Sequence, residues 1–365
     1  MPGRALPHVD EYTPAPPPTE DLDYADLPIV DLSKASTANG RAELAIIARD
    51  AMRTRGFVYA INHGYTPAQT KRVFDIANIP FEEVDKEEKL LYSNDIKATG
   101  SWEGYKPRSY WHISNGVQDQ NEHYNVNPDV YRKQHPQALR PVLPEIDAFV
   151  KHCHVNIVHP MLRLLARGLE LPEEYLVNLM RYEVPQESYL RFIKYYPRSA
   201  EEEAKTNNVW LKGHTDFGGI TVLWSQPVAA LQILSPEGKW LWVKHIENAL
   251  VINIGDALEF VSGGFYKATI HRVVQPPPSQ RGYTRLGVYY FAMMENDVLL
   301  KPLEESGVIN RVGIQTDRLP EKGKEPTMEM HRRARTSAFG KSEVAKGEAG
   351  VDTEVLNGVL VKHYN

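Results

Sequence analysis

The chain carries a single cysteine, Cys153, in 365 residues. One thiol excludes an internal disulfide framework and fits a reducing compartment. No stretch of roughly 18 apolar residues occurs, which argues against a membrane-spanning helix. No apolar run near the start resembles a signal peptide, and the expected location is cytoplasmic. A basic excess is missing too: 42 Lys and Arg stand against 47 Asp and Glu, for a net charge of −5. That balance gives no general footprint for nucleic acid. Composition carries no signal of oligomeric state. The hydrophobic share of 42% and the charged share of 24% are those of a globular protein with a sizeable core.

Four segments follow one another without an independent linker. Residues 1–26 are rich in Pro and acidic groups and read as a flexible, extended arm. Residues 27–180 mix short strands and helices. In "AELAIIARDAM", Leu44, Ile47, Ala48 and Ala51 recur at helical spacing, with Gly56 as the stop. Thr66-Pro67 reads as the cap and first residue of a second helix. A long helical pattern spans Leu143–Leu169, with a kink expected near Pro160. Residues 181–300 are dominated by short alternating strands between Pro and Gly turns, a sandwich or jelly-roll pattern. Residues 301–365 read as a helical extension over the pocket, in which Thr327 caps a basic helix ending near Gly340. The fold class is thus mostly β with flanking helices.

The segment "WLKGHTDFGGITVL" holds His214 and Asp216 two positions apart. On an extended strand such residues point to one face. A nitrogen and a carboxylate oxygen can then meet one metal ion. His271 closes "FYKATIH" after a spacer of 54 residues. Two His and one carboxylate on one face of an octahedral ion leave open positions, as non-haem Fe(II) oxygenases require. An HxD pair alone is weak among 13 His, and an Asp hydrogen-bonded at a strand end reads as well from it.

The context is more specific. "SYLRFIKYYP" precedes the pair, and "HRVVQPPPSQRGYTRLGVYYF" follows, with Arg285 opening an aromatic strand. "LPIVDL" at Leu27–Leu32, "RGFVYAINHG" at Arg55–Gly64 and "ALVINIGDALEFVSGGFYKATIHRVV" complete the order. From about Leu27 to Met294 the chain resembles the 2-oxoglutarate-dependent Fe(II) dioxygenases. The resemblance is to the branch that includes isopenicillin N synthase and the plant flavonoid and gibberellin oxygenases.

The resemblance implies a double-stranded β-helix core. It implies Fe(II) on His214, Asp216 and His271, with 2-oxoglutarate and O2 as cosubstrates and ascorbate as an optional reductant. It further implies that Arg285 takes the C5 carboxylate of 2-oxoglutarate, which suits the two-point fork of a guanidinium. Arg281 stands close enough in sequence to be the alternative. Tyr196, before Pro197, matches the family tyrosine that touches the cosubstrate. The family's usual Ser two residues after the Arg is Gly287 here. Strand alternation from Tyr196 would bring Lys194 and Phe192 to the pocket; Lys194 could equally snorkel to solvent. Phe217, Phe291, Tyr105 and Trp111 are the further lining candidates, with Trp102 and Tyr110 on the same loop.

Other readings are plainer. Cys153 lies in a helical apolar stripe and reads as core. His152, His154 and His159 lack a carboxylate that would complete a metal set. His63 reads as a turn residue, His245 as solvated, and "HRRAR" as a solvated helix face. Three functions remain at this stage. They are a 2-oxoglutarate-dependent oxygenase of a small metabolite, an oxidase of the same branch without 2-oxoglutarate, and a non-catalytic metabolite-binding jelly roll.

Overall fold

Alternating apolar positions and β-branched residues make the second half of the chain a set of strands that bury one or both faces. The computed structural model describes residues 6–338 and, as backbone alone, strands at 345–346, 351–356 and 359–364. In chain order the strands used below are Ile29–Asp31 (β1), Phe57–Ile61 (β2), Gly104–Lys106 (β3), Asn121–Val126 (β4), Tyr189–Tyr195 (β5) and Val209–His214 (β6). They continue as Ile220–Trp224 (β7), Leu231–Leu234 (β8), Trp240–Trp242 (β9), Leu250–Ile254 (β10), His271–Val274 (β11) and Arg285–Ala292 (β12).

Eight strands form one sheet in the order β1-β2-β10-β7-β12-β5-β4-β3. The opposing sheet runs β9-β8-β11-β6 and is extended by the C-terminal strands, where Tyr364 pairs with Gly213. The two sheets form the double-stranded β-helix, with flanking helices on the outer face of the larger one. Register matters for function. β12 pairs antiparallel with β5 so that Arg285 faces Tyr195 and Phe291 faces Tyr189. β11 meets β6 at His271 and His214.

The helices follow their sequence signals. Ala38–Thr54 (α1) buries Leu44, Ala48 and Ala51, and Gly56 follows it at φ +67°, where a side chain would be strained. Pro67–Glu82 (α2) opens with a capping box between Thr66 and Gln69. The long helix forms as Leu143–Lys151 (α3) and His159–Gly168 (α4), joined by a π-helical turn over His152–Val158 just before Pro160. Met328–Ala338 (α5) begins where Thr327 Oγ1 accepts from the Met330 amide at 3.3 Å. Gly340, its expected stop, lies outside the described residues.

Two segments differ from expectation. The helical reading of residues 301–365 holds for Gly307–Val312 and α5 only; Val351–Leu356 and Val359–Tyr364 pair antiparallel instead. Their alternating residues around Asn357-Gly358 are a hairpin signal in the sequence. The arm expected to be flexible runs from Leu6 along the core. The Tyr12 amide donates to Asp75 Oδ1 at 2.8 Å, its ring stacks on Phe74, and Gln280 Nε2 donates to Pro16 O at 2.6 Å. Proline fixes the extended backbone, and distant side chains supply its hydrogen bonds. Among the described residues no helix is long and apolar enough to cross a membrane.

Candidate active site

His214 ends β6, Asp216 follows in the turn to β7, and His271 starts β11, so three neighbouring chain segments deliver one group each. One ligand atom from each lies within 4.8 Å of the others. Each His Nε2 is 3.8 Å from Asp216 Oδ1. The opposite ring nitrogens are held by carbonyls: His214 Nδ1 donates to Lys212 O at 2.8 Å, and His271 Nδ1 to Thr269 O at 3.1 Å. That fixes the tautomer and leaves both Nε2 lone pairs facing inward.

Asp216 is oriented in the same way. Its Oδ2 accepts from Thr221 Oγ1 at 2.6 Å and from Asn253 Nδ2 at 2.8 Å, and Oδ1 is left for a cation. Burial first, and then His271, push His214 down to about 4, so it stands neutral near pH 7 and can ligate. Burial acts to raise the Asp216 carboxyl, but His271, His214 and the two hydrogen bonds outweigh it and hold the group ionised. The donor set of two imidazoles and one carboxylate fits Fe(II).

These groups line a cavity together with Trp102, Trp111, Phe217 and Phe291. Tyr189, Arg191, Ile193 and Tyr195, the odd-numbered residues of β5, line it as well. The even-numbered ones do not. Phe192 is buried on the other face, in a hollow shared with Ile76 of α2 and Phe149 of α3. Lys194 donates to Asn78 and Glu82 of α2. The Tyr196 hydroxyl donates to Glu122 Oε1 at 2.6 Å. The alternation was right and its phase wrong: Tyr195 is the tyrosine on the cavity face. Tyr105 is away from the cavity too, its hydroxyl on Pro80 O and its ring against Tyr124. Tyr110 is exposed.

Arg285 shares the odd face of β12 with Gly287, Tyr289 and Phe291. It is 2% exposed, and its Nε has no hydrogen-bond partner. Its Nη1 donates to the Tyr289 hydroxyl at 3.0 Å, and Tyr289 lines the cavity where Arg285 does not. A Cβ at Gly287 would lie 2.6 Å from Tyr289 Cε2. The tyrosine ring therefore fills the space that the missing serine would need, and brings a hydroxyl of its own. Arg281 is exposed on the preceding turn.

Sequence reading expected the C-terminal extension over the pocket but passed over its arginine. Arg335 of α5 lines the cavity, and its Nη2 donates to Thr215 O at 2.8 Å. Its Nη1 lies 3.3 Å from Asp256 Oδ2, and Arg318 binds Asp256 Oδ1 at 2.7 Å. The Asp256 amide in turn donates to Asp216 O at 2.7 Å. Burial opposes ionisation of Asp256, yet Arg318 and Arg335 hold its carboxyl far below the usual range. The "HRRAR" segment was thus not a solvated face. A helical count from Met328 puts His331 and Arg335 on one side, which is the signal that could have shown it. The other histidines singled out in the sequence are bonded away from the metal ligands: His63 to Asn248 O, His152 to His63 O, His154 and His159 to Met180 O, and His245 to Ser225 Oγ.

Residues 187–293 match the model of the 2OG-Fe(II) oxygenase superfamily. Residues 27–145 match that of the "non-haem dioxygenase in morphine synthesis N-terminal" region. Jasmonate-induced oxygenase 4 of Arabidopsis thaliana is 27% identical over 295 residues, 78% of this chain and 77% of its own. Flavanone 3-dioxygenase 2 of Oryza sativa is 28% identical over 297 residues, covering 79% and 80%. A full-length Neurospora crassa protein, crystallised in complex with alpha-KG and thymine, shares the fold. It has a TM-score of 0.72 and 21% identity, and the match covers 87% of this chain and 99% of that one. The chain belongs to the 2OG-Fe(II) oxygenase superfamily and is an enzyme that uses Fe(II) and 2-oxoglutarate.

Proposed function

We propose that the enzyme oxidises a small, ring-containing metabolite of specialised metabolism, by hydroxylation, desaturation or cyclisation. His214, Asp216 and His271 hold Fe(II), and Arg285 with Tyr289 receives the C5 carboxylate of 2-oxoglutarate. The observation that carries this is the convergence of two oriented Nε2 atoms and one free carboxylate oxygen at an aromatic cavity. Bound there, iron and 2-oxoglutarate supply an oxidant for a substrate C–H bond, with release of succinate and CO2. The match to the 2OG-Fe(II) oxygenase model and the relative named as a dioxygenase favour this class over an oxidase without 2-oxoglutarate or a non-catalytic jelly roll.

The chain's own residues bind, orient and exclude water. Lys212 O and Thr269 O fix the tautomer of the imidazoles and aim their Nε2 atoms inward. Thr221 and Asn253 keep one oxygen of Asp216 facing inward. Removing such partners from a metal ligand typically costs about 10–100-fold in affinity. Trp102, Trp111, Phe217 and Phe291 form apolar walls that keep water from a reactive centre. A compact, largely apolar enclosure suits a small molecule better than a peptide or nucleic acid. The relative named for flavanone and the fold neighbour crystallised with thymine agree with a small ring-bearing substrate.

The test is a screen of ring-containing acids, terpenoids and polyketides for stimulated succinate release, beside histone peptides and methylated oligonucleotides. Stimulation by small molecules is expected. Stimulation by the macromolecular panel alone would overturn the reading.

A further inference from the structure

The proposed function leaves the polar handle of the substrate undefined, and the odd face of β5 defines it. Arg191 sits mid-strand between Tyr189 and Ile193 and lines the cavity. Its Nε donates to Asn125 Oδ1 at 2.8 Å, which fixes the plane of the guanidinium. Its Nη2 is buried and has no hydrogen-bond partner. No carboxylate lies within ion-pair distance of it among the described residues. Arg335, the other arginine lining the cavity, is already engaged by Asp256 and Thr215 O.

A buried, fixed guanidinium donor without an acceptor is costly, and natural proteins rarely leave one unmet. The neighbours do not meet it. His123 lines the same corner, and burial first, and then Arg191, hold it well below its ordinary range, so it is neutral there. Aromatic rings lie beside it: the Arg191 guanidinium carbon is 5.1 Å from the ring centres of Trp102, Tyr189 and Phe291. Tyr189 and Phe291 stack at 4.7 Å, and Phe291 and Tyr289 at 5.8 Å, which makes a row of stacked rings beside the cation.

We propose that the substrate is a small planar conjugated acid, its carboxylate bound by Arg191 and its ring packed against the aromatic residues Tyr189 and Phe291 that line the cavity. This rests on the proposed function for the identity of the cavity as the substrate site. It makes Arg191 a specificity-determining residue, distinct from Arg285, which serves the cosubstrate.

The test is isothermal titration calorimetry with a panel of aromatic acids, from benzoate through cinnamate to indole-3-acetate, each beside its own amide. Thymine is included as a neutral planar ring. Binding is measured on the full chain without added metal, and again anaerobically with Fe(II) and 2-oxoglutarate. At least one acid should bind about thirty-fold or more tighter than its amide, the scale of a buried charge-assisted contact. Arg191→Met should abolish that preference, and Arg191→Lys should restore part of it. The apparent 2-oxoglutarate affinity, read from the visible charge-transfer band, should stay within about threefold in Arg191→Lys.

Three results would overturn the proposal. One is equal binding of every acid and its amide. Another is tighter binding of thymine than of any acid. The third is an Arg191→Lys variant that loses 2-oxoglutarate and keeps the acid, which would give Arg191 the cosubstrate. Acid preference in the metal-free protein without any charge-transfer band would sink the iron and 2-oxoglutarate assignment while leaving Arg191 as an anion site.

Discussion

The two faces of β5 differ as much as any two regions of this molecule. One face carries Tyr189, Arg191, Ile193 and Tyr195 into the cavity. The other carries Leu190, Phe192 and Lys194 onto α2 and the core, where Lys194 meets Asn78 and Glu82. Both contain an aromatic residue and a cation. Composition therefore cannot tell them apart; the phase of a two-residue period can. A slip of one residue exchanges every side chain between chemistry and packing.

The sharpest break between the faces comes at the metal itself. Asp216→Ala should abolish turnover and lower iron affinity beyond the roughly 10–100-fold typical of losing a supporting partner. Since the site sits at the edge of a large core, far-ultraviolet circular dichroism should be little changed. Iron-dependent activity at the normal level in that variant would refute the ligand assignment.

The next contrast sets Arg285 on the cavity side against Lys194 on the packing side. Losing a buried charged partner costs about 2–5 kcal/mol, or roughly thirty- to several-thousand-fold in binding. Arg285→Ala should raise the 2-oxoglutarate requirement on that scale, whereas Lys194→Ala should leave it unchanged. The Glu82 partner of Lys194 is 55% exposed, so its pairing contributes only about 1 kcal/mol or less to stability. A 2-oxoglutarate defect in Arg281→Ala instead would move the role to the turn.

A finer cut is available beneath Asp216. Thr221→Val and Asn253→Ala each remove one bond to its outward oxygen, and each should weaken iron binding by about 10–100-fold. Competition with a chromogenic chelator measures this directly. Wild-type affinity in both would mean that Asp216 needs no such orientation.

The smallest effect concerns stability on the packing side. His154 is fully buried, with Nε2 on Met180 O and Nδ1 on the Tyr290 hydroxyl, and burial pushes it down to about 4. The unfolded chain titrates near 6.5, so it binds the proton first as pH falls. The contribution of His154 is present in full above about pH 6.5 and is lost as pH drops toward about 4, at most roughly 3 kcal/mol. Urea midpoints at pH 7 and pH 5 should therefore diverge less in His154→Gln than in the wild type. Equal divergence would place the acid sensitivity elsewhere.

What the sequence showed and hid follows the same division. The His-x-Asp pair and the distant His are local signals at strand ends, and strand geometry alone aims them together. The capping box at Thr66 and the stop at Gly56 are local too. Tyr195 was missed because two adjacent tyrosines precede Pro197, and only the register with β12 decides between them. Tyr289 and Gly287 compensate for one another across two residues, which a motif that expects Ser at 287 does not reveal. Arg335 reaches the site because α5 packs back on the loop after β6, a contact between residues 120 apart in sequence. The C-terminal hairpin was readable from Asn357-Gly358 and was outweighed by the basic helix before it.

The most direct measurement is an anaerobic titration of the Fe(II) protein with 2-oxoglutarate, followed by its visible charge-transfer band. Wild type, Arg285→Ala and Lys194→Ala are compared. The band should appear in the wild type, require at least about thirty-fold more 2-oxoglutarate in Arg285→Ala, and be unchanged in Lys194→Ala. A shifted midpoint in Lys194→Ala with a normal one in Arg285→Ala would contradict the assignment of the cavity to the odd face.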